Sequence, residues 1–337
     1  MTPAHWSERD LIERFAGACR VDKKQLIKGI GDDCAVIHPD GDQAWVLTTD
    51  MLVDTVHFDT RWHPAFQLGR KCLAVNLSDI AAMGALPHFV MLSVAIPDTC
   101  EDHWLDQWML GLSSLLNEYD CALIGGDTVR GGQLTISITA IGTVDKDRVA
   151  LRSTAGPGES IFVSGYLGSA AAGLILCRDA AQLPTIDKAL ATPLINRHLD
   201  PSPDVFCGSL LAQSGLVTAM QDLSDGLATD LAHIVGQSRL AAIVEAEWLP
   251  AHPNLKQVCR LIDQDPVNLQ VAGGDDYHLI FTVKQEAEQE LIDYLDRHDG
   301  PPVYKIGRTE SGSGVRLRQH GQSTDISFRG FQHRSSS

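Results

Sequence analysis

Leu73-Ala-Val-Asn-Leu-Ser-Asp-Ile-Ala-Ala-Met83 is an apolar stretch of helical character with an aspartate, Asp79, at its middle. A mid-helix aspartate cannot cap a helix end, and a buried carboxylate is costly unless it is paired or bound to a metal. No lysine or arginine stands three or four residues away, and the polar neighbour at that spacing is Asn76. A solvent-facing polar stripe is the simpler explanation of such a residue, but the apolar surroundings favour a metal ligand. Working outward, 64–84 reads as one long helix, followed by a strand at 88–96 and a helix at 101–119. A strand then runs into Gly125-Gly126-Asp127, and an alternating strand covers 134–144. Upstream lie two β-like runs, 34–38 and 44–50. Before them Ser7-x-x-Asp10 resembles a helix-start signal, with Leu11, Ile12, Phe15 and Cys19 at helical spacing.

Ala155-Gly-Pro-Gly-Glu159 reads as a boundary. Beyond it a strand at 161–165 feeds a small-residue helix at 169–177, and 284–298 reads as an amphipathic helix. The Arg334-Ser-Ser-Ser337 tail is expected to fray. Strands and helices alternate in both halves, so the fold class is α/β (α+β) with two domains, 1–150 and 151–337.

The 337 residues suffice for two domains, and an apolar fraction of 44% is ordinary for a globular chain. A net charge of −16 repels nucleic acid and anionic lipid, so neither is an expected partner. It also repels a nucleotide unless the acidic groups first collect metal ions. The eight cysteines are scattered without a C-x-x-C pair, which fits neither a zinc site nor a disulfide framework. The first residues lack a signal-peptide pattern, and no apolar run approaches the ~20 residues of a membrane helix. A cytoplasmic protein with reduced thiols is expected.

The aspartates sit at strand ends and turns. Asp32 and Asp33 follow Gly31, Asp50 ends Trp45-Val-Leu-Thr-Thr-Asp, and Asp127 follows Gly125-Gly126. Glycine permits the tight turn from which a following carboxylate projects. Any one Gly-Asp pair reads first as a turn, but the set is harder to explain that way. Asp222-Leu-Ser-Asp225-Gly repeats the theme, with helix N-capping as the bland reading. Oxygen donors without a His/Cys cluster point to Mg²⁺ or Mn²⁺. No P-loop or protein-kinase signature is present. Gly165 to Gly173, between a strand and a helix, would suit an anion or close helix–sheet packing equally well. Lys71 and Arg152 are the basic residues placed to reach phosphates, and His57 lies on the loop after Asp50.

Gly29-Ile-Gly-Asp-Asp-Cys-Ala35, Thr48-Thr-Asp-Met-Leu-Val53 with His57-Phe58, Leu73 to Gly84, Gly125-Gly-Asp-Thr128, Asp222-Leu-Ser-Asp-Gly226 and Gly273-Gly-Asp-Asp-Tyr277 together resemble the thiamine-monophosphate kinase family. The strings come in the family's order and cover essentially the whole chain. The resemblance implies an N-terminal ATP/metal-binding domain whose sheet pairs with a second copy in a homodimer, and a C-terminal α/β domain. ATP and several Mg²⁺ ions would lie between them, and thiamine monophosphate would accept the γ-phosphate.

Position by position, it implies metal ligation by Asp33, Thr48, Thr49, Asp50, Asp79, Asp127, Asp222 and Asp225. It implies ATP contacts from Gly126, Arg152 and Ser224, and substrate contacts from His57, Asp275 and Phe328. Metal-bound Asp50, Asp79 and Asp127 would stabilise charge, with no covalent catalytic residue. Asp275 stands where the family has glutamate, His278 replaces a second glutamate, and Phe328 falls where the family commonly has Trp or Tyr. An alternative reading is another ATP-dependent synthetase of the same superfamily. A two-metal phosphatase and a nucleotide-sensing dimer without turnover are more distant rivals.

Overall fold

The computed structural model describes residues 12–13, 23–38, 41–181 and 186–331. Apart from Ile12 and Glu13, the N-terminal helix signal lies outside them, as does the C-terminal tail.

The first sheet is built from β1 (Leu26–Lys28), β2 (Ala35–Ile37), β3 (Gln43–Val53), β4 (Leu86–Ile96), β5 (Ala122–Arg130) and β6 (Thr135–Asp145). Its order is β1-β2-β3-β6-β4-β5, antiparallel except for the β4–β5 pair. Period-two alternation turns Ala44, Val46 and Leu52 of β3 inward, while Trp45 and Met51 face out.

Two helices belong to this half, α1 (Ala65–Ala82) and α2 (Asp102–Glu118). α1 is apolar almost all round, and such a helix must be buried on every side. It packs against β3 and β6, against α2, and against elements of the second half. Gly69 and Gly111 let α1 and α2 touch backbone to backbone. A Cβ at Gly69 would lie 2.0 Å from the Trp108 carbonyl oxygen, and one at Gly111 1.9 Å from that of Phe66. Gly84, with φ of 72°, closes α1 in the left-handed conformation that helix ends favour.

The second sheet comprises β7 (Ser160–Val163), β8 (Val217–Asp222), β9 (Ala241–Glu245), β10 (Leu279–Val283), β11 (Tyr304–Glu310), β12 (Gly314–Gln319) and β13 (Gln322–Asp325). The order is β13-β12-β9-β11-β7-β10-β8, with β9–β12 the parallel pair. Its helices are α3 (Ser169–Arg178), α4 (Lys188–Leu199), α5 (Val205–Ser214), α6 (Leu227–Ser238), α7 (Leu255–Leu261), α8 (Pro266–Ala272) and α9 (Glu288–Arg297). Both faces of this sheet are covered. Phe162 and Phe281 join the apolar cluster that holds Leu73, Leu77 and Ile80 of α1, while Ile161, Val163 and Ile280 face Leu231 and Val235 of α6. The α/β fold class with two domains expected from the sequence is the one observed, and its first core is continuous between the halves through α1.

The observed strands and helices match the periodic segments to within a few residues at their ends. Among the described residues no helix is long and apolar enough to cross a membrane.

Candidate active site

The two sheets bring three distant carboxylates together beside α1. Asp33 lies between β1 and β2, Asp79 on α1, and Asp222 at the end of β8. One oxygen from each lies within 4.8 Å of the others. Neighbouring side chains hold them in place. The Thr48 hydroxyl donates to Asp79 Oδ2, and Ser78 Oγ donates to Asp222 Oδ2 at 2.8 Å. Asp50, two residues along β3 from Thr48, shares its face, and its backbone N–H donates to Asn76 Oδ1 at 3.1 Å.

Burial and mutual repulsion dominate the electrostatics. Burial, then the charge of Asp33, pushes Asp50 up to about 6. Burial, followed by Asp50, Asp222 and Asp33, holds Asp79 well above the usual carboxylate range. Asp222 is likewise raised well above it, by burial and then by Asp33. Arg152 answers part of this charge, donating from Nε to Asp33 Oδ2 at 3.1 Å and from Nη2 to Oδ1. Crowded carboxylates with a hydroxyl beside them form the all-oxygen donor set that suits a hard divalent cation such as Mg²⁺. The residues present therefore fit the metal that the sequence implies.

A cavity of about 960 Å³ adjoins the cluster. Asp50, His57, Asp79, Asp222, Ser224, Asp225 and Asp275 all line it. His57 Nδ1 accepts the Val53 N–H at 3.0 Å. Asp275 is tied to its surroundings: Lys71 Nζ donates to its Oδ2 at 2.8 Å and the Tyr277 hydroxyl to its Oδ1 at 2.9 Å. Burial alone would raise this carboxyl, but Lys71 and His198 hold it well below its ordinary value.

Other expected residues stand apart from the three-carboxylate cluster. Thr49 lines the cavity but lies on the opposite face of β3 from Asp50, where its hydroxyl donates to the Ile138 carbonyl at 3.2 Å and meets Thr139. Gly126 and Asp127 lie on β5, the exposed edge strand, outside the three-carboxylate cluster. Gly126 is required there, because with φ of 149° a Cβ would fall 1.7 Å from the Leu92 carbonyl oxygen. Phe328 packs edge-on against His233, with centroids 5.6 Å apart, and it is Phe331 that lines the cavity. The Phe331 N–H donates to the Asp225 carbonyl at 2.9 Å, which fastens this segment over the turn after β8.

Lys71 is a correction. Sequence placed it within reach of phosphates, yet it is only 1% exposed and is spent on Asp275 and the His198 carbonyl. The start of α3 offered an anion site, and the group found there is the protein's own carboxyl, since Asp276 Oδ2 accepts the Gly168 N–H at 2.9 Å. Sequence reasoning overlooked Trp62 and His198, which also line the cavity. Lys71 carried a usable signal, because a lysine inside an apolar helix is as anomalous as Asp79.

Residues 31–144 match the family "AIR synthase related protein, N-terminal domain", and residues 156–320 match "AIR synthase related protein, C-terminal domain". The thiamine-monophosphate kinase of Escherichia coli (strain K12) is 37% identical over 327 residues, covering 97% of this chain and 98% of that protein. That of Bacillus subtilis (strain 168) is 33% identical over 308 residues, covering 90% and 93%. Among solved structures, AaThiL complexed with AMPPCP and TMP superposes with a TM-score of 0.84 at 29% identity, covering 97% of each chain. The thiamine-monophosphate kinase from Stenotrophomonas maltophilia K279a gives 0.76 at 36% identity, covering 93% of this chain and 96% of that one.

Proposed function

As a member of the thiamine-monophosphate kinase family, with both AIR synthase related domains, this chain, we propose, transfers the γ-phosphate of ATP directly to thiamine monophosphate, giving ADP and thiamine diphosphate. The observation that carries the reading is the Asp33, Asp79 and Asp222 cluster at the wall of a cavity large enough for a two-ring phosphate. Full-length identity to named kinases and likeness to a complex holding AMPPCP and TMP support it.

The physics suits the residues. The accepting phosphate oxygen is already ionised near neutral pH, so no general base is required. The obstacle is repulsion between two polyanions, and bound Mg²⁺ would supply the charge neutralisation and alignment that phosphoryl transfer needs. Asp33, Asp79 and Asp222 would hold it, with Asp50 and the Thr48 hydroxyl beside them. Thr49, Asp127 and Asp225 remain proposed ligands. Gly126, Arg152 and Ser224 are proposed for ATP, and His57, Asp275 and the aromatic C-terminal segment for the substrate.

We read the chain as two domains, 1–150 and 151–337, acting in the cytoplasm as a homodimer. The outer face of the first sheet supports the dimer, since Trp45, Met51, Phe89 and Met91 are all exposed there and would be covered by a second copy. The deciding experiment measures ADP release and thiamine diphosphate formation across a panel of monophosphates, with and without Mg²⁺. Turnover confined to thiamine monophosphate and dependent on the cation is expected, and ADP release with another acceptor only would replace the reading.

A further inference from the structure

The cavity runs along one face of α1. Lys71, Val75 and Asp79 are spaced four apart, so they stack on a single helical face, and all three line the cavity. Eight residues separate Lys71 from Asp79, a rise of roughly 12 Å. The carboxylate cluster stands at the Asp79 end. The chemistry at the Lys71 end is different and aromatic.

Trp62 is half-buried in the cavity wall. Its backbone N–H donates to the Asp59 carbonyl at 3.1 Å. Its ring lies against His63 and His198, with centroids 6.0 and 5.8 Å away, so its orientation is fixed from behind. His198 lines the same wall, is 1% exposed, and has no hydrogen-bond partner at Nε2 among the described residues. Its Nδ1 lies 3.2 Å from Asp275 Oδ2, the contact through which it lowers that carboxyl. Burial, then the charge of Lys71, lowers its pKa, so it presents one donor and one acceptor as a neutral imidazole. Buried polar atoms of this kind are almost always satisfied, which leaves a ligand to do it. Lys71 has already neutralised Asp275, so this end of the cavity favours a flat, nitrogen-bearing ring over a simple cation.

We propose that Trp62 and His198 are specificity-determining residues for the phosphate acceptor, Trp62 stacking on its heteroaromatic ring system and His198 hydrogen-bonding an amino or ring nitrogen. The acceptor then lies along α1 with its phosphate toward Asp79. The proposal rests on thiamine monophosphate as acceptor and adds the orientation and two residues that read it. A thiazolium ring gains a cation–π contribution from tryptophan, and the aminopyrimidine supplies the nitrogen groups.

The test compares Trp62→Ala, Trp62→Leu, Trp62→Phe and His198→Gln with the wild type in steady-state kinetics, folding being checked by thermal unfolding. Trp62→Ala and Trp62→Leu are expected to raise KM for thiamine monophosphate about tenfold or more, while KM for ATP stays within about twofold, and Trp62→Phe recovers most of the loss. His198→Gln is expected to lose the preference for thiamine monophosphate over an analogue without the pyrimidine amino group. Unchanged acceptor KM in Trp62→Leu, or equal rises for both substrates, overturns the proposal. If the wild type forms no thiamine diphosphate, the kinase reading itself has failed. Quenching of tryptophan fluorescence by thiamine monophosphate alone then decides the subsite, supporting it if Trp62→Phe abolishes the quench and overturning it otherwise.

Discussion

The Arg152 guanidinium clasps both oxygens of the Asp33 carboxylate, one of the groups that lies within 4.8 Å of Asp79 and Asp222. A fixed organic cation therefore sits against the group best placed to take a metal. Asp33 is buried and Arg152 half-buried, and removing one partner of a buried pair typically costs about 3–5 kcal/mol because the other charge is left uncompensated. Arg152→Gln is expected to lower the unfolding temperature in EDTA and to lose much of that deficit in saturating Mg²⁺, where a second cation answers Asp33. An equal deficit in both conditions would mean that Arg152 acts through packing alone.

The raised carboxyls make stability depend on pH in a definite direction. Asp50, at about 6, and Asp79 and Asp222, both raised well above the ordinary value, keep protons in the folded chain that an unfolded chain with ordinary values near 3.8 releases. Their stabilisation is complete below about pH 4 and is lost as pH rises through the folded values. Metal-free protein should therefore lose stability as pH rises from about 4 through about 6, each unit of separation being worth about 1.4 kcal/mol. A divalent cation replaces those protons, so the rise in unfolding temperature on adding Mg²⁺ should be larger at pH 8 than at pH 5.5. A pH-independent rise, or none, would count against metal binding by these groups.

Substitution separates the cluster from the edge strand. Asp50→Asn and Asp79→Asn remove charge where the carboxylates converge, and losing a contact that stabilises transition-state charge costs about 10²–10³-fold in turnover. Both variants should fold, because asparagine relieves the repulsion that raises these groups. Near-normal turnover of both at saturating Mg²⁺ would sink the metal assignment. The same measurement on Asp127→Asn tells whether the exposed β5 carboxylate joins the site.

Legibility in the sequence followed how few explanations each residue allowed. Asp79 could be read because a charge inside an apolar helix has little else to do, and the helix around it is confirmed as Ala65–Ala82. The alternation along β3 could have separated Thr48 and Asp50 from Thr49, since neighbours on a strand face opposite ways. The aromatic contact was hidden for a different reason. Phe328 has φ of 57°, so the C-terminal segment follows no regular period from which to tell that Phe331 reaches the cavity. Lys71 and Asp275 lie 204 residues apart, and only the packing of α1 against the second half makes them partners.

That pair changes what Asp275→Ala is expected to do. The substitution leaves the Lys71 ammonium buried with the His198 carbonyl as its recorded partner, so it should destabilise the fold as well as weaken the acceptor site. Lys71→Met with Asp275→Ala removes both charges and should recover stability relative to Asp275→Ala, by a coupling of about 1–3 kcal/mol. The KM for thiamine monophosphate should stay raised in the double variant while that for ATP changes little. Additive stabilities would show that the pair is not coupled, and recovery of KM together with stability would show that Asp275 only supports the fold.

Phosphate is expected to pass from ATP to thiamine monophosphate without a phosphorylated enzyme. A covalent route needs a nucleophile activated by a neighbouring base or a lowered pKa. His57, the histidine nearest the motif, already uses Nδ1 to accept the Val53 N–H at 3.0 Å, which suits a positioning role. The cluster aspartates face one another, and a bound cation would blunt their nucleophilicity further. The acceptor oxygen is ionised beforehand, so dividing the reaction into two displacements gains little. Direct transfer requires both substrates to be bound together, and initial-rate lines should intersect. It also requires inversion at a chirally labelled γ-phosphorus, because one in-line displacement inverts and two retain. Overall retention, or labelled protein formed from γ-labelled ATP alone and chased into thiamine diphosphate, would establish the covalent route even with the family membership intact.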